Sequence, residues 1–337
     1  MRRGVRERHC VVAGRAIASS PMVTLQDIRD AHARISGTVH RTPVFGSRSL
    51  AALAGAARLD LKCESLQKTG SFKARGALNK LGQLSAEERS RGVVTVSAGN
   101  HAQALAWAAQ QTGTRCTVCM PAAAVQSKVD ASRGYGAEVV LHGTSMDAFQ
   151  RARDLSTSEG FVFVHPFDDD HIIQGTGTVG LELLEQTETP DVVVVPIGGG
   201  GLIAGVAVAI KESNPSIRVI GVEPTAATVM RQSVDAGRAL RVMPDPTIAD
   251  GLAAPMAGER NFAIVQRYVD DIVLVSDDEI IYAMQMLLSR CKLLAEGAGA
   301  AATAAVLAGK IPVAGKKVVA VVSGGNVDLQ RLSGVLA

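Results

Sequence analysis

Aromatic side chains make up only 3% of the 337 residues, with one tryptophan, three tyrosines and seven phenylalanines. That scarcity argues against a surface for stacking nucleobases, which is built on aromatic platforms. Charge of one sign is lacking as well. The net charge of +3 is concentrated near the N-terminus, where Arg2, Arg3, Arg6, Arg8 and Arg15 face only Glu7, so the remainder is close to neutral. No basic surface for nucleic acid or membrane is expected on the folded body. Cysteine is sparse: five residues, an odd number, make no disulfide framework and point to reduced thiols in a cytosol. Cys116 and Cys119 form a C-x-x-C, yet in the β-like run TRCTVCMP positions i and i+3 face opposite ways. A redox or zinc pair needs both sulfurs on one side, so these read as core thiols.

A membrane span is also missing. Val192 to Ile210 carries no charge, but Pro196 and the glycines Gly198 to Gly201 interrupt it, and a buried strand, a glycine loop and a helix account for the same run. The arginine-rich start has no apolar h-region of secretory length. Residues 1–23 are expected to be a disordered arm, or to include sequence upstream of a start at Met22.

What is present is an α/β alternation. From Gly92 the chain reads strand VVTVS, helix from Asn100 to Gln111, strand TRCTVCM, helix from Val125 to Tyr135, strand AEVVLH and helix from Met146 to Ser156. Such units build a parallel sheet whose ligands bind at the carboxyl ends of the strands. The chain returns through FVFVHPF and a helix from Gly175 to Gln186, then VVVVP with its glycine loop, a proline- and glycine-punctuated loop over 244–260, a capping box at Ser276–Glu279, and a last strand KVVAVVS. The length predicts two domains. Residues 85–160 form the small one; 24–84 and 161–337 form the large one.

Four junctions carry chemistry. In TGSFKARGA, Lys73 sits where a turn with N-cap residues Thr69-Gly70-Ser71 meets a helix. The helix dipole disfavours a cation there and helps depress the amine toward a nucleophilic form; a solvated surface lysine is the plain alternative. Gly198–Gly201 between a strand and a helix suits a phosphate, through converging N–H groups and the helix end. A tight turn with close helix packing is the alternative. The loop lacks the Lys-Ser/Thr of a Walker sequence. Ser97-Ala98-Gly99-Asn100-His101 opens a helix and can hold a carboxylate, with His101 either a satisfied cap residue or a base. Ser323-Gly324-Gly325-Asn326 follows the last strand and offers a hydroxyl for a heterocyclic nitrogen. A reactive lysine, a phosphate cradle, a carboxylate nest and a neutral hydroxyl together describe a site for pyridoxal phosphate and an amino acid.

The ordered motifs TGSFKARGA, SAGNHAQA, VVPIGGGGL, AEGAGA and SGGNVD resemble the fold-type II pyridoxal-phosphate enzymes. Within them the chain is similar, over about residues 24–334, to the short catabolic threonine/serine dehydratases and their serine racemase relatives. The resemblance implies an α/β fold of two open parallel-sheet domains, tryptophan synthase β-like, with pyridoxal 5'-phosphate in the cleft between them. Lys73 would be the Schiff-base lysine, and Lys73 and Ser97 the catalytic pair. Phe72 would pack beside the cofactor, Asn100 would bond the ring's phenolic oxygen, and Gly198, Gly199, Gly200, Gly201 and Leu202 would bind the phosphate. Glu296 would lie near the ring and Ser323 would face its nitrogen. Ser97, Ala98, Gly99, Asn100 and His101 match the loop that holds the substrate, and Asp250-Gly251 the loop near the bound amino acid.

Two departures matter. Racemases carry a serine where Ala98 stands. In relatives with a divalent-cation site, a glutamate matching Glu223 is followed by an aspartate where this chain has Val229, so no tightly held metal is expected. The implied reaction is dehydration of L-threonine to 2-oxobutanoate and of L-serine to pyruvate. A threo-3-hydroxyaspartate ammonia-lyase, a serine racemase and a non-catalytic phosphate-ligand binder are the alternatives. A cytoplasmic homodimer or homotetramer is expected, with a small hydroxy amino acid as substrate. The chain stops soon after SGGN, so neither a C-terminal regulatory domain nor feedback by isoleucine is expected.

Overall fold

The computed structural model describes residues 22–336, and the expectations for the basic arm fall outside these apart from Met22 and Val23. Helix α1 (Leu25–Ile35) starts at a capping box, in which the Thr24 hydroxyl accepts from the Asp27 N–H and the Asp27 carboxylate accepts from the Thr24 N–H. Its stripe of Ile28, Ala31 and Ile35 is buried.

Two sheets organise the rest. The larger contains β1 (Val44–Gly46), β2 (Arg58–Cys63), β7 (Val192–Pro196), β8 (Arg218–Pro224), β9 (Asp271–Val275) and β10 (Lys317–Val322), in the order β1-β2-β10-β7-β8-β9. Every pairing is parallel except β1 with β2, where Phe45 faces Leu61. The smaller is wholly parallel, with β3 (Val93–Val96), β4 (Cys116–Met120), β5 (Glu138–Leu141) and β6 (Val162–Phe163) in the order β5-β4-β3-β6. The α/β fold of two open, parallel-dominated sheets implied by the resemblance is the one adopted.

The valine run of β7 is buried along its whole length, as in strands covered on both faces. Val192 and Val194 join the core under α13 (Gly297–Leu307), while Val193 and Val195 join the core under α9 (Gly201–Ser213). The same alternation explains the cysteines of β4. Cys116 packs in one cluster and Cys119 in another across the sheet, and burial pushes their thiols up to about 12 and about 11. Among the described residues no helix is long and apolar enough to cross a membrane.

Two expectations about elements need correction. The helix anticipated from Gly175 begins earlier, as α8 (Asp170–Gln186), because the Asp169 carboxylate caps the His171 and Ile172 N–H groups. Gly175 and Gly177 mask that start from a propensity reading, yet they let helices touch backbone to backbone. A Cβ on Gly175 would lie 2.6 Å from the Arg75 carbonyl in α3 (Lys73–Gly82), and one on Gly177 would lie 2.9 Å from the Gly205 carbonyl in α9. The stretch 244–260 is not wholly loop either, since it holds a short turn at Asp250–Leu252 and the start of α11 (Glu259–Tyr268).

Candidate functional site

Lys73 is the first residue of α3. The N-cap is Phe72, and no side chain caps the helix. Thr69–Ser71 do not cap it as expected: Thr69 and Gly70 take φ 60° and 71°, and Ser71 pairs through its backbone with Gly324, leaving its buried hydroxyl without a partner. The Lys73 Nζ donates to the Pro166 carbonyl at 2.8 Å and stands 5.0 Å from the centre of the Phe72 ring. Burial is the cause that pulls its pKa down to about 8. The plain alternative of a solvated lysine does not hold.

The end of β10 lies beside this lysine, because the Phe72 N–H donates to the Ser323 carbonyl at 3.1 Å. The Ser323 hydroxyl is buried, 3.4 Å from the Ala298 carbonyl. Since β10 pairs with β7, the loop after β7 opens at the same end of the sheet. There each glycine has a steric reason. A Cβ at Gly198 would approach the Leu252 Cα at 3.3 Å, one at Gly199 would fall on the Phe167 ring, and one at Gly201 would meet the Phe167 carbonyl at 3.0 Å. Gly200 has φ +96°, and a Cβ there would meet Met230 Cε at 2.6 Å and Asn261 Cβ at 2.8 Å. Close packing therefore accounts for the four glycines one by one. The capacity for an anion rests on α9 itself: no side chain caps it, and its first N–H groups, those of Gly201 and Leu202 among them, have no intrahelical acceptor. Replacing Gly200 with aspartate should release most bound pyridoxal 5'-phosphate on dialysis, because it adds strain and a carboxylate at that start; full retention, read by absorbance, would contradict this.

The second helix start belongs to α5 (Asn100–Thr112), which follows β3. The Ser97 hydroxyl accepts from the Gly99 N–H at 3.2 Å, leaving its own proton to donate elsewhere. Nothing lies within 4 Å of a Cβ built on Gly99, so this loop borders open space. Ala98 packs at the rim of the core. His101 is buried, neither ring nitrogen has a hydrogen-bond partner, and burial first, then Lys73 and His165, hold it neutral.

Asn100 ties the sheets together. Its Nδ2 donates to Glu296 Oε1 at 2.6 Å, and its Oδ1 accepts from Asn326 Nδ2 at 2.8 Å, which also donates to the Thr69 carbonyl at 2.7 Å. Burial raises the Glu296 carboxyl to about 7, with the Asp250 charge adding and the Asn100 bond opposing. Gly251 sits close by, a Cβ there being 3.9 Å from Glu296 Oε1. Asp250 also reaches across the cleft to Lys128 at 3.2 Å. Glu223 is spent elsewhere: its carboxylate accepts from the Met230 and Arg231 N–H groups, both at 2.8 Å, at the start of α10 (Val229–Ala236). Among the described residues no cluster of three or more His, Cys, Asp or Glu could hold a metal.

Several site residues escaped the sequence reading. His165 Nδ1 accepts from the Asp168 N–H at 2.9 Å, and the Asp168 carboxylate accepts from the Glu259 and Arg260 N–H groups at 3.1 and 3.0 Å. Asn261 Nδ2 donates to the carbonyls of Gly199 and Phe167 at 2.8 and 3.1 Å. The segment 165–168 thereby joins the lysine to the glycine loop. Its signal was its position directly after a parallel strand, where ligand-binding loops lie. An amine of lowered pKa, an uncapped helix start and a buried neutral hydroxyl thus converge, with partnerless Ser71 and Thr69 hydroxyls beside them. These residues fit a phosphorylated aldehyde cofactor.

Comparison with known proteins agrees with that fit. The profile of the family described as "Pyridoxal-phosphate dependent enzyme" matches residues 35–324. The L-threonine ammonia-lyase of Thermotoga maritima is 49% identical over 316 residues, covering 94% of this chain and 78% of the relative. The processed form of threonine deaminase isoform 2 from Solanum lycopersicum superposes with a TM-score of 0.88 at 37% identity, covering 97% of each chain. Maize serine racemase superposes with a TM-score of 0.89 at 40% identity, covering 94% of this chain and 97% of its own. By the extent of the match and by the chemistry its site can support, the chain belongs to the family of pyridoxal-phosphate dependent enzymes.

Proposed function

We propose that the protein is a threonine/serine ammonia-lyase that removes water and then ammonia from L-threonine and L-serine, giving 2-oxobutanoate and pyruvate. The observation that carries this reading is the half-buried Lys73 amine, its pKa lowered to about 8, donating to the fixed Pro166 carbonyl. When bound, pyridoxal 5'-phosphate supplies an aldehyde for amino groups and a conjugated ring that draws electrons from the α-carbon. Lys73 anchors it and, once freed, has a neutral amine to take the α-proton. The start of α9, with Gly198 to Leu202, would hold the phosphate, and Phe72 would pack alongside. The start of α5, from Ser97 to His101, holds the substrate carboxylate by its N–H groups, with Ser97 donating its free hydroxyl proton. Ser323 would offer the ring nitrogen a neutral hydroxyl rather than a carboxylate, which would leave the ring less electron-withdrawing. Asn100 and Glu296, bonded to each other, would border the ring.

In this reading residues 24–84 and 164–337 make the cofactor-holding domain and 85–163 a small domain closing over the substrate, its end moved past 160 because β6 pairs with β3. We place the enzyme in the cytoplasm, consistent with its free thiols, as a homodimer or homotetramer. Exposed Phe45, Leu53 and Leu66 on and near the β1 edge offer apolar surface to a second copy.

Ala98 separates this reaction from racemisation. A proton must reach the face opposite Lys73 to make D-serine, and a positioned acid is worth about 10²–10⁴-fold; Ala98 has none to give. The purified protein should release 2-oxo acid from threonine and serine faster than from 3-hydroxyaspartate, with D-serine a minor product that rises in Ala98→Ser. Equal D-serine and pyruvate from the natural protein would return the racemase reading, and a preference for 3-hydroxyaspartate would replace the substrate.

A further inference from the structure

We propose that the Pro166 carbonyl is the dock for the free Lys73 amine, and that Arg75, clamped between Glu64 and Glu182, is the positioning residue that keeps amine and dock in register. The proposal rests on Lys73 being the cofactor-bearing lysine.

Arg75 has no exposed surface, and all three nitrogens of its guanidinium are used. Nε and Nη2 donate to the two oxygens of Glu64, each at 2.8 Å. Nη1 and Nη2 donate to the two oxygens of Glu182 at 2.7 and 2.8 Å, and Nη1 also reaches Thr178 Oγ1 at 3.2 Å. Lys62 Nζ completes the set, donating to Glu182 at 2.6 Å and to Gln186 at 2.7 Å. Two cations and two carboxylates are thus buried together with fixed, bidentate geometry.

Arg75 stands two residues after Lys73 on α3, and Glu182 lies on α8, the helix that follows Pro166 after a short capped turn. The two helices meet at Gly76 and Gly175 without intervening side chains. The loop carrying Pro166 is pinned in turn by the His165 and Asp168 bonds to backbone N–H groups. A closed circuit results: amine, α3, Arg75, Glu182, α8, the 165–168 loop, the Pro166 carbonyl and back to the amine. Neither helix can slide or rotate without opening charge-assisted bonds out of reach of water. The consequence at the amine is directional. With one N–H given to a fixed carbonyl, the lone pair of an otherwise flexible side chain is held to a narrow arc, as a nucleophile or base requires. The titratable groups facing it are His101 from α5 and His165 from the loop, both kept neutral by burial.

The test compares Arg75→Lys, which keeps the charge but loses the planar fork, and Glu182→Gln with Leu155→Ala, a core change in α7 (Ser145–Ser158) away from this circuit. Two readouts are taken on the full chain stripped of cofactor: the pH profile of Lys73 labelling by trinitrobenzenesulfonate, located by peptide mapping, and the rate of pyridoxal 5'-phosphate uptake. Leu155→Ala should lower thermal stability yet leave both readouts as in the natural protein. Arg75→Lys and Glu182→Gln should move the labelling profile toward that of an ordinary lysine and slow uptake about 10- to 100-fold, the usual effect of a small misplacement. Folded variants with unaltered labelling and uptake would overturn the proposal. Should both fail to fold, Thr178→Val removes the bond to Arg75 Nη1 together with the hydroxyl's own bond to the Gly175 carbonyl at 2.7 Å, both within the α3–α8 contact, and an unchanged labelling profile there would overturn it equally. A natural protein that takes up no cofactor at Lys73 would defeat the functional reading instead, while the labelling arm would still decide the question of position.

Discussion

A Lys73→Ala protein should fold as the natural one does and turn over neither threonine nor serine. The side chain makes one hydrogen bond, to the Pro166 carbonyl, and such a bond contributes about 1 kcal/mol net; deleting a desolvated amine offsets part of that loss. The chemical loss is of another order. Removing a general base costs about 10²–10⁴-fold, and here the same atom is also the covalent anchor, so the visible band of the bound cofactor should vanish together with 2-oxo acid release. Far-ultraviolet circular dichroism and the thermal midpoint check the first half, and absorbance with a coupled assay the second. A variant that keeps near-normal release would remove Lys73 from the mechanism.

Glu64→Ala should cause the largest loss of stability predicted for a single change, about 3–5 kcal/mol. Its carboxylate accepts from Arg75 twice and from the Thr42 hydroxyl at 2.5 Å, and none of the three residues has measurable exposure. Without it, two buried cations share the Glu182 carboxylate, and a buried group carries uncompensated positive charge. Replacing Lys62, Glu64, Arg75 and Glu182 together with apolar residues of similar volume should cost less than Glu64→Ala alone, because the charges then disappear with their partners. Urea unfolding followed by Trp107 fluorescence measures both, since Trp107 packs in the same cluster as Ala74, Ala77 and Leu78 of α3. A Glu64→Ala protein within about 1 kcal/mol of the natural one would mean that water reaches the network, for exposed ion pairs are worth that much or less.

Lys73, the glycine loop and the two other strand-end junctions were legible because each is a local pattern. A turn before a helical spacing, or a valine run before glycines, is written in neighbouring residues, and dihedral preferences and i,i+4 contacts act at that range. The same holds for the capping box at Ser276, and for Cys116 and Cys119 on opposite faces of one strand. Arg75 stood inside the very stretch that singled out Lys73, with Glu64 just before it, yet nothing nearby identifies the second carboxylate that Arg75 meets, Glu182. Charged residues are ordinarily solvated, so only the packing of α3 on α8 reveals that these are not.

By itself, then, the sequence determined the alternation of strands and helices, the placement of a lysine at a helix start and the class of cofactor such junctions can hold. Tertiary structure alone decided that the lysine faces the Pro166 carbonyl, that Asn100 bonds Glu296, and that burial brings one amine to about 8 and one carboxyl to about 7. Desolvation and hydrogen bonding depend on which atoms surround a group, and here those atoms come from elements far away along the chain, brought together only when helices and sheets pack.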